Sequence, residues 1–398
     1  MQGISVFRAK LADFIPRYWL PAGLISLLSG LFWLPSLGLY NKQYYALFAL
    51  PSLLALLIAP GHLGRLIREP LIQAFLAFSL WVLLSLLWTQ ADDSLSGLAK
   101  RPLYVLLLLA GCVLLAVHNL RVFAQLLHGC AWLAVLAALM ALYYQAGGLT
   151  GEVRIIGTGA LRNPLLSSQV FGFFCVYWLC QGIHARGRHL WLAGLASAIL
   201  FATLLATGSR TPLLGVFAAG LWLAAAAGNR GIYISLALIA AGAITIIAMP
   251  GMQERGVSYR PEIWMEALRQ AADHPWLGLG YNSSYVFNLT HQWYDPHNVE
   301  LAVLLELGAI GLALWLLMHA VALWRSWQCR QDSRFVIASA LLVHGMACGL
   351  TEGSNFLSRP NENWFLIRIP LALVAALSAA KRVDLAGAKV RDRCVNAV

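Results

Sequence analysis

Twelve apolar runs, each about 17–25 residues long, leave this chain little else to build with. They occupy residues 18–39, 43–60, 71–88, 102–118, 122–146, 165–183, 190–206, 211–227, 231–249, 298–319, 335–352 and 363–380. A hydrocarbon core about 30 Å thick needs about 20 apolar residues per helix, so the runs predict an all-α polytopic membrane protein with about 12 transmembrane helices. With 60% of its 398 residues hydrophobic and 11% charged, the sequence excludes a soluble domain with one modest core. The first run follows Arg8, Lys10 and Arg17 with no small-residue cleavage site, which reads as a retained helix and not a signal peptide.

Charge sets the expected orientation, because Lys and Arg accumulate in short cytoplasmic loops. Arg65, Arg68, Arg121, Arg186, Arg188, Arg230, Arg325, Arg330 and Arg334 fall on the side that also carries both termini. The termini are therefore expected on the cytoplasmic side of the membrane. The net charge of +11 is in this reading a topology signal, and with no basic stripe interleaved with stacking aromatics it predicts no nucleic-acid partner. Seven cysteines lie mostly inside spans or on the basic face, and the ten histidines are scattered. No disulfide framework, metal site or cofactor is expected from them.

The domain plan is helices one to nine over residues 1–249, one long periplasmic loop containing short helices over 250–297, helices ten to twelve over 298–380, and a basic cytoplasmic tail over 381–398. Long loops are usually functional or disordered. In this one Trp264, Leu268 and Ala271 recur at helical spacing after Pro261, which predicts an amphipathic helix lying over the bundle like a lid.

At the loop's end stands Asp295-Pro296-His297-Asn298. Asp295 reads as an N-cap and Pro296 as the first helical residue, which places His297 and Asn298 in a first turn. The positive end of a helix dipole disfavours imidazolium, so His297 is expected to be neutral and able to accept a proton. Gly308 and Gly311 lie below it and are expected to let another helix approach. Glu300, one turn on, is a candidate to orient the ring. The alternative for His297 is a helix-capping residue at the lipid interface.

Arginine supplies a second constellation. Arg210 sits in the tight turn Thr207-Gly208-Ser209-Arg210, Arg260 just before the loop helix, and Arg154 and Arg162 flank Gly157-Thr158-Gly159. A guanidinium is permanently charged and forks onto phosphate oxygens, which suits it to a diphosphate. Snorkelling, or pairing with Glu152, Glu254 or Glu262, is the structural alternative. Lys100 and Arg101 stand on the same side beside Asp92 and Asp93.

His-Asn followed by Gly308 and Gly311 resembles the signature of the O-antigen ligase family, and the agreement extends to the turn at Arg210 and to Arg260, Trp264, Pro275 and Gly278-Leu279-Gly280. In residue identity it covers about 207–215 and 259–311. The resemblance implies an undecaprenyl-diphosphate-linked O-polysaccharide donor and a lipid A-core acceptor in the bilayer, with His297 catalytic and Arg210 and Arg260 on the diphosphate. It also implies a bacterial inner-membrane location with glycosyl transfer on the periplasmic face; the lack of a metal-ligand pattern predicts a metal-independent step, and direct displacement at the anomeric carbon an inverting one. O-antigen polymerases share the pattern and remain an alternative. A transporter for a lipid-linked sugar is a further one, although neither inverted repeats nor discontinuous helices are evident in the sequence.

Overall fold

A computed structural model describes residues 2–145, 154–248, 259–289, 292–353 and 355–395. Glu152, Glu254 and residues 250–258 of the long loop lie outside them. The described residues are helical throughout, apart from loops and one two-stranded antiparallel ribbon that pairs Phe287 with Trp293 and Asn288 with Gln292. The apolar runs fall largely on helices, but not one helix each: run 18–39 is interrupted at Leu34–Ser36, and run 363–380 spans the Glu362–Phe365 turn and the helix that starts at Arg368. By length and hydropathy six of these can cross a membrane: Leu95–His118, Leu120–Tyr144, Pro164–His184, Arg188–Ala206, Val299–Gln328 and Glu362–Ala386. A seventh is the pair Leu37–Ile58 and Gly61–Ile67, bent by 111°, if it forms one span. Pro70–Ser85, Thr211–Ala226 and Ser333–Gly349 are apolar but shorter. The Arg368–Val395 helix runs on past residue 381, where the sequence suggested a separate tail.

The core is one continuous cluster in which Phe171, Phe173, Phe174, Trp364 and Phe365 are fully buried. A smaller cluster lies at the end of the bundle that bears the long loop. There the Arg260–Asp273 helix turns Ile263, Ala267 and Ala271 onto Phe287 and Leu305. This inward stripe sits one residue off the Trp264–Leu268 register suggested by the sequence, and Leu268 is exposed.

The Val299–Gln328 helix is discontinuous. At Gly308 the backbone adopts φ +65° and ψ −171°, a region open essentially to glycine. The break frees backbone groups that lipid could not satisfy. The strap Pro275–Gly280 satisfies them: Leu279 N and Gly280 N donate to the carbonyls of Leu305 (2.9 Å) and Glu306 (2.8 Å), while Ala309 N donates to Pro275 O (2.8 Å). Trp81 Nε1 donates to Leu307 O at 3.0 Å. Gly278, at φ +67°, must also lack a side chain, since a Cβ there would stand 2.5 Å from Gly308 N. Two expectations are corrected here. The atoms nearest a Cβ at Gly308 would be the backbone of Trp276 and Leu277, a strap and not a helix, while at Gly311 the three nearest atoms all belong to Leu307 of its own helix. A discontinuous helix also does occur, hidden from the sequence because the strap that stabilises it is remote from Gly308 along the chain.

Candidate active site

His297 is positioned from both sides of the chain. Asp295 Oδ1 accepts from His297 N at 2.7 Å, and Trp264 Nε1 donates to Pro296 O at 3.0 Å. The backbone at His297 is left-handed, φ +48°. This corrects the capping expectation: Asn298 is the N-cap, its Oδ1 accepting from Leu301 N at 2.9 Å, and the helix begins at Val299. Asn298 Nδ2 also donates to Leu350 O at 3.0 Å, tying the helix start to the loop after Ser333–Gly349.

That loop supplies Glu352, the residue sequence reasoning missed. Its Oε1 lies 3.3 Å from His297 Nδ1 and its Oε2 3.0 Å from Arg260 Nη2, so one carboxylate bridges the imidazole and a guanidinium. Glu352, not Glu300, orients the ring; Glu300 has a buried Oε2 with no hydrogen-bond partner. A lone acid in a short connection carries no local pattern, and its only signal was its place at the arginine-bearing end of the bundle.

The electrostatics differ from expectation too. The hydrogen bond to Glu352, aided by the charge of Asp295, raises the His297 pKa above its ordinary 6.5 against the opposing effects of burial and Arg260. The expected bias toward neutral imidazole fails because His297 lies outside the helical turn and beside an acid. The side chain keeps 28% of its surface exposed, so the ring is reachable. A carboxylate on Nδ1 selects the tautomer that leaves Nε2 as the accepting nitrogen.

His297 and Glu352 line a cavity of about 260 Å³ together with Arg154, Arg210 and Arg260. Arg210 starts the Thr211–Ala226 helix. Arg154 braces the turn before it, its Nε donating to Thr207 O (2.6 Å) and its Nη2 to Ser209 Oγ (2.7 Å). Thr351 Oγ1 donates to Thr211 Oγ1 at 3.3 Å and so links this turn to Glu352. Three guanidiniums against one carboxylate give the lining an excess of positive charge, which suits an anion. Trp293 adds a buried Nε1–H with no acceptor and packs its ring edge-on against His297 at 6.1 Å.

Two arginines fall elsewhere. Arg162 donates to Pro35 O at 3.1 Å and is not part of this lining. Arg101 pairs with Asp93 at 2.6 Å and donates to Asn282 Oδ1 at 2.8 Å, while Asp92 accepts from Ser284 Oγ.

The fold and this site define a multi-pass membrane protein with an arginine-rich cavity around a histidine–carboxylate pair. A sequence model described as O-antigen ligase matches residues 195–316, which include the Arg210 turn, Arg260 and His297. The chain is also 42% identical over 391 residues, 95% of each chain, to an O-antigen ligase of Pseudomonas aeruginosa. It belongs to the O-antigen ligase family.

Proposed function

We propose that this protein transfers O-antigen polysaccharide from undecaprenyl diphosphate to the outer-core sugar of lipid A-core, with inversion at the anomeric carbon and without a metal. The observation that carries the reading is the single cavity shared by His297, Glu352, Arg154, Arg210 and Arg260. Arg210 and Arg260 grip the donor's diphosphate, Arg154 holds the turn that presents Arg210, and Arg162 has no part in it. With its negative charge matched by guanidiniums, the diphosphate leaves as a stabilised anion and no general acid is needed. His297 Nε2 takes the proton of the acceptor hydroxyl, whose oxygen bonds to the anomeric carbon as the bond to the diphosphate breaks. Its electron pair departs with the phosphate. Such a base contributes about 10²–10⁴-fold, and Glu352 stabilises the imidazolium it becomes.

The distribution of Lys and Arg supports an inner-membrane chain with cytoplasmic termini and this cavity on the periplasmic face. The broken helix at Gly308 alone would equally suit a carrier. The histidine–carboxylate pair inside the arginine-lined cavity favours transfer chemistry over simple passage. The test is reconstitution of the purified protein with lipid-linked glycan and lipid A-core. Formation of the conjugate is expected; elongation of the lipid-linked glycan alone would make the protein a polymerase, and passage of intact donor across the bilayer a transporter.

A further inference from the structure

A second cavity of about 240 Å³ lies beside the first, lined by Tyr281, Asn282, Ser284, Tyr294, Glu306 and Asn355 among others. Two stretches of chain contribute to both. Trp293 lines the histidine cavity and its neighbour Tyr294 the second, as successive side chains of an extended segment point to opposite sides. Glu352 lines the first and Asn355 the second.

The lining suits a sugar. Below the roughly 300–1,000 Å³ typical of drug-sized ligands, the volume has room for about one pyranose ring. Tyr294 is 66% exposed and offers an aromatic face for the C–H surface of a ring. Glu306, buried to 7% exposure, accepts at Oε2 from Asn282 N at 2.6 Å, and its carboxyl group can exchange further hydrogen bonds with hydroxyls. An acid buried in a membrane protein marks function by default. The backbone agrees: among the described residues only Asn282 and His297 are non-glycine residues at positive φ, one in each cavity. Strain of this kind collects where a ligand is held.

Resting on the ligase reading, we propose that this second cavity is the acceptor subsite, binding a neutral, hydroxyl-rich pyranose of the core oligosaccharide next to the attacking hydroxyl. The first cavity gathers Arg154, Arg210 and Arg260 for the diphosphate, whereas beside the second stands Arg101, engaged by Asp93, Tyr281 and Asn282, so donor and acceptor would occupy neighbouring cavities of different character.

The test uses the full-length protein and its Tyr294→Ala and Asn355→Ala variants, with thermal unfolding as the check on folding. With both substrates varied, each variant is expected to raise KM for lipid A-core roughly tenfold, about the loss of one good contact. KM for the lipid-linked donor and kcat should stay within about twofold of wild type on the same reasoning. A rise in donor KM instead, or no change in either KM, overturns the proposal. Binding of lipid-free core oligosaccharide to the His297→Ala protein reads the cavity without turnover. It should persist in that variant and weaken when Tyr294→Ala is added; binding indifferent to Tyr294→Ala and Asn355→Ala also overturns the proposal. If wild type forms no conjugate while binding still depends on Tyr294, the ligase reading falls and the sugar site stands.

Discussion

Replacing Glu352 by Gln removes a charge and keeps the shape, which makes it the sharpest probe of how His297 works. In the native protein Glu352 lies 3.3 Å from the imidazole and 3.0 Å from Arg260, with only 12% of its side chain exposed. Hydrogen bonds to charged groups are worth about 1.5–3 kcal/mol and roughly twice their neutral counterparts. A glutamine oxygen still accepts from Nδ1, so about half is forfeited, ~1 kcal/mol of transition-state stabilisation or roughly fivefold in rate. The pH profile adds a signature. Because the folded pKa of His297 is raised, the neutral base fills in only as pH climbs through a midpoint above 6.5, and transfer should rise on that limb. Glu352→Gln removes the largest cause of the shift, so the limb should move to lower pH. The variant should then fall about fivefold short on the alkaline plateau and approach wild type at the acid end. By the same linkage the His297–Glu352 contact stabilises the fold below pH 6.5 and loses that contribution as pH rises through the raised value. Initial rates from pH 5 to 9 with purified protein decide it. A midpoint that stays in place or moves upward would refute the assignment of Glu352 as the partner of the base.

Three other outcomes follow from the same geometry. Arg210→Lys keeps a point charge but loses the fork, so donor binding should weaken by about tenfold in a direct titration with lipid-linked diphosphate; unchanged affinity would remove Arg210 from the diphosphate. Gly308→Ala forces a side chain into left-handed backbone against the Trp276–Leu277 strap and should cost more than about 2 kcal/mol in thermal unfolding, whereas Gly129→Ala, in a helix with open space around it, should be neutral or mildly stabilising. Chelator should leave the rate unchanged, and loss of activity restored by added Mg²⁺ would show that the arginines do not suffice.

Much of the scaffold is legible in the sequence because its cause is local. Apolar runs of spanning length become helices, and the Thr207–Arg210 turn follows from two runs that abut. The loop helix is announced by Pro261 and its periodicity. What stays hidden has distant causes. Asp295 and Asn298 are both good caps three residues apart, and the choice of Asn298 is bound up with its bond to Leu350. The break at Gly308 needs the Pro275–Gly280 strap, and Arg162 is captured by Pro35, far away in sequence. Glu352 meets His297 only because Ser333–Gly349 returns the chain to the same end of the bundle. The Asp295–Asn298 run singles out His297 in the sequence, whereas the acid beside it emerges only from the fold.

The central claim is that His297 removes the acceptor's proton inside an arginine-lined diphosphate site. Single-turnover transfer by His297→Ala, with donor binding titrated on the same preparation, tests it most directly. The expected result is chemistry slowed by about 10²–10⁴-fold with donor affinity within about twofold of wild type. Transfer near the wild-type rate in that variant would contradict the account.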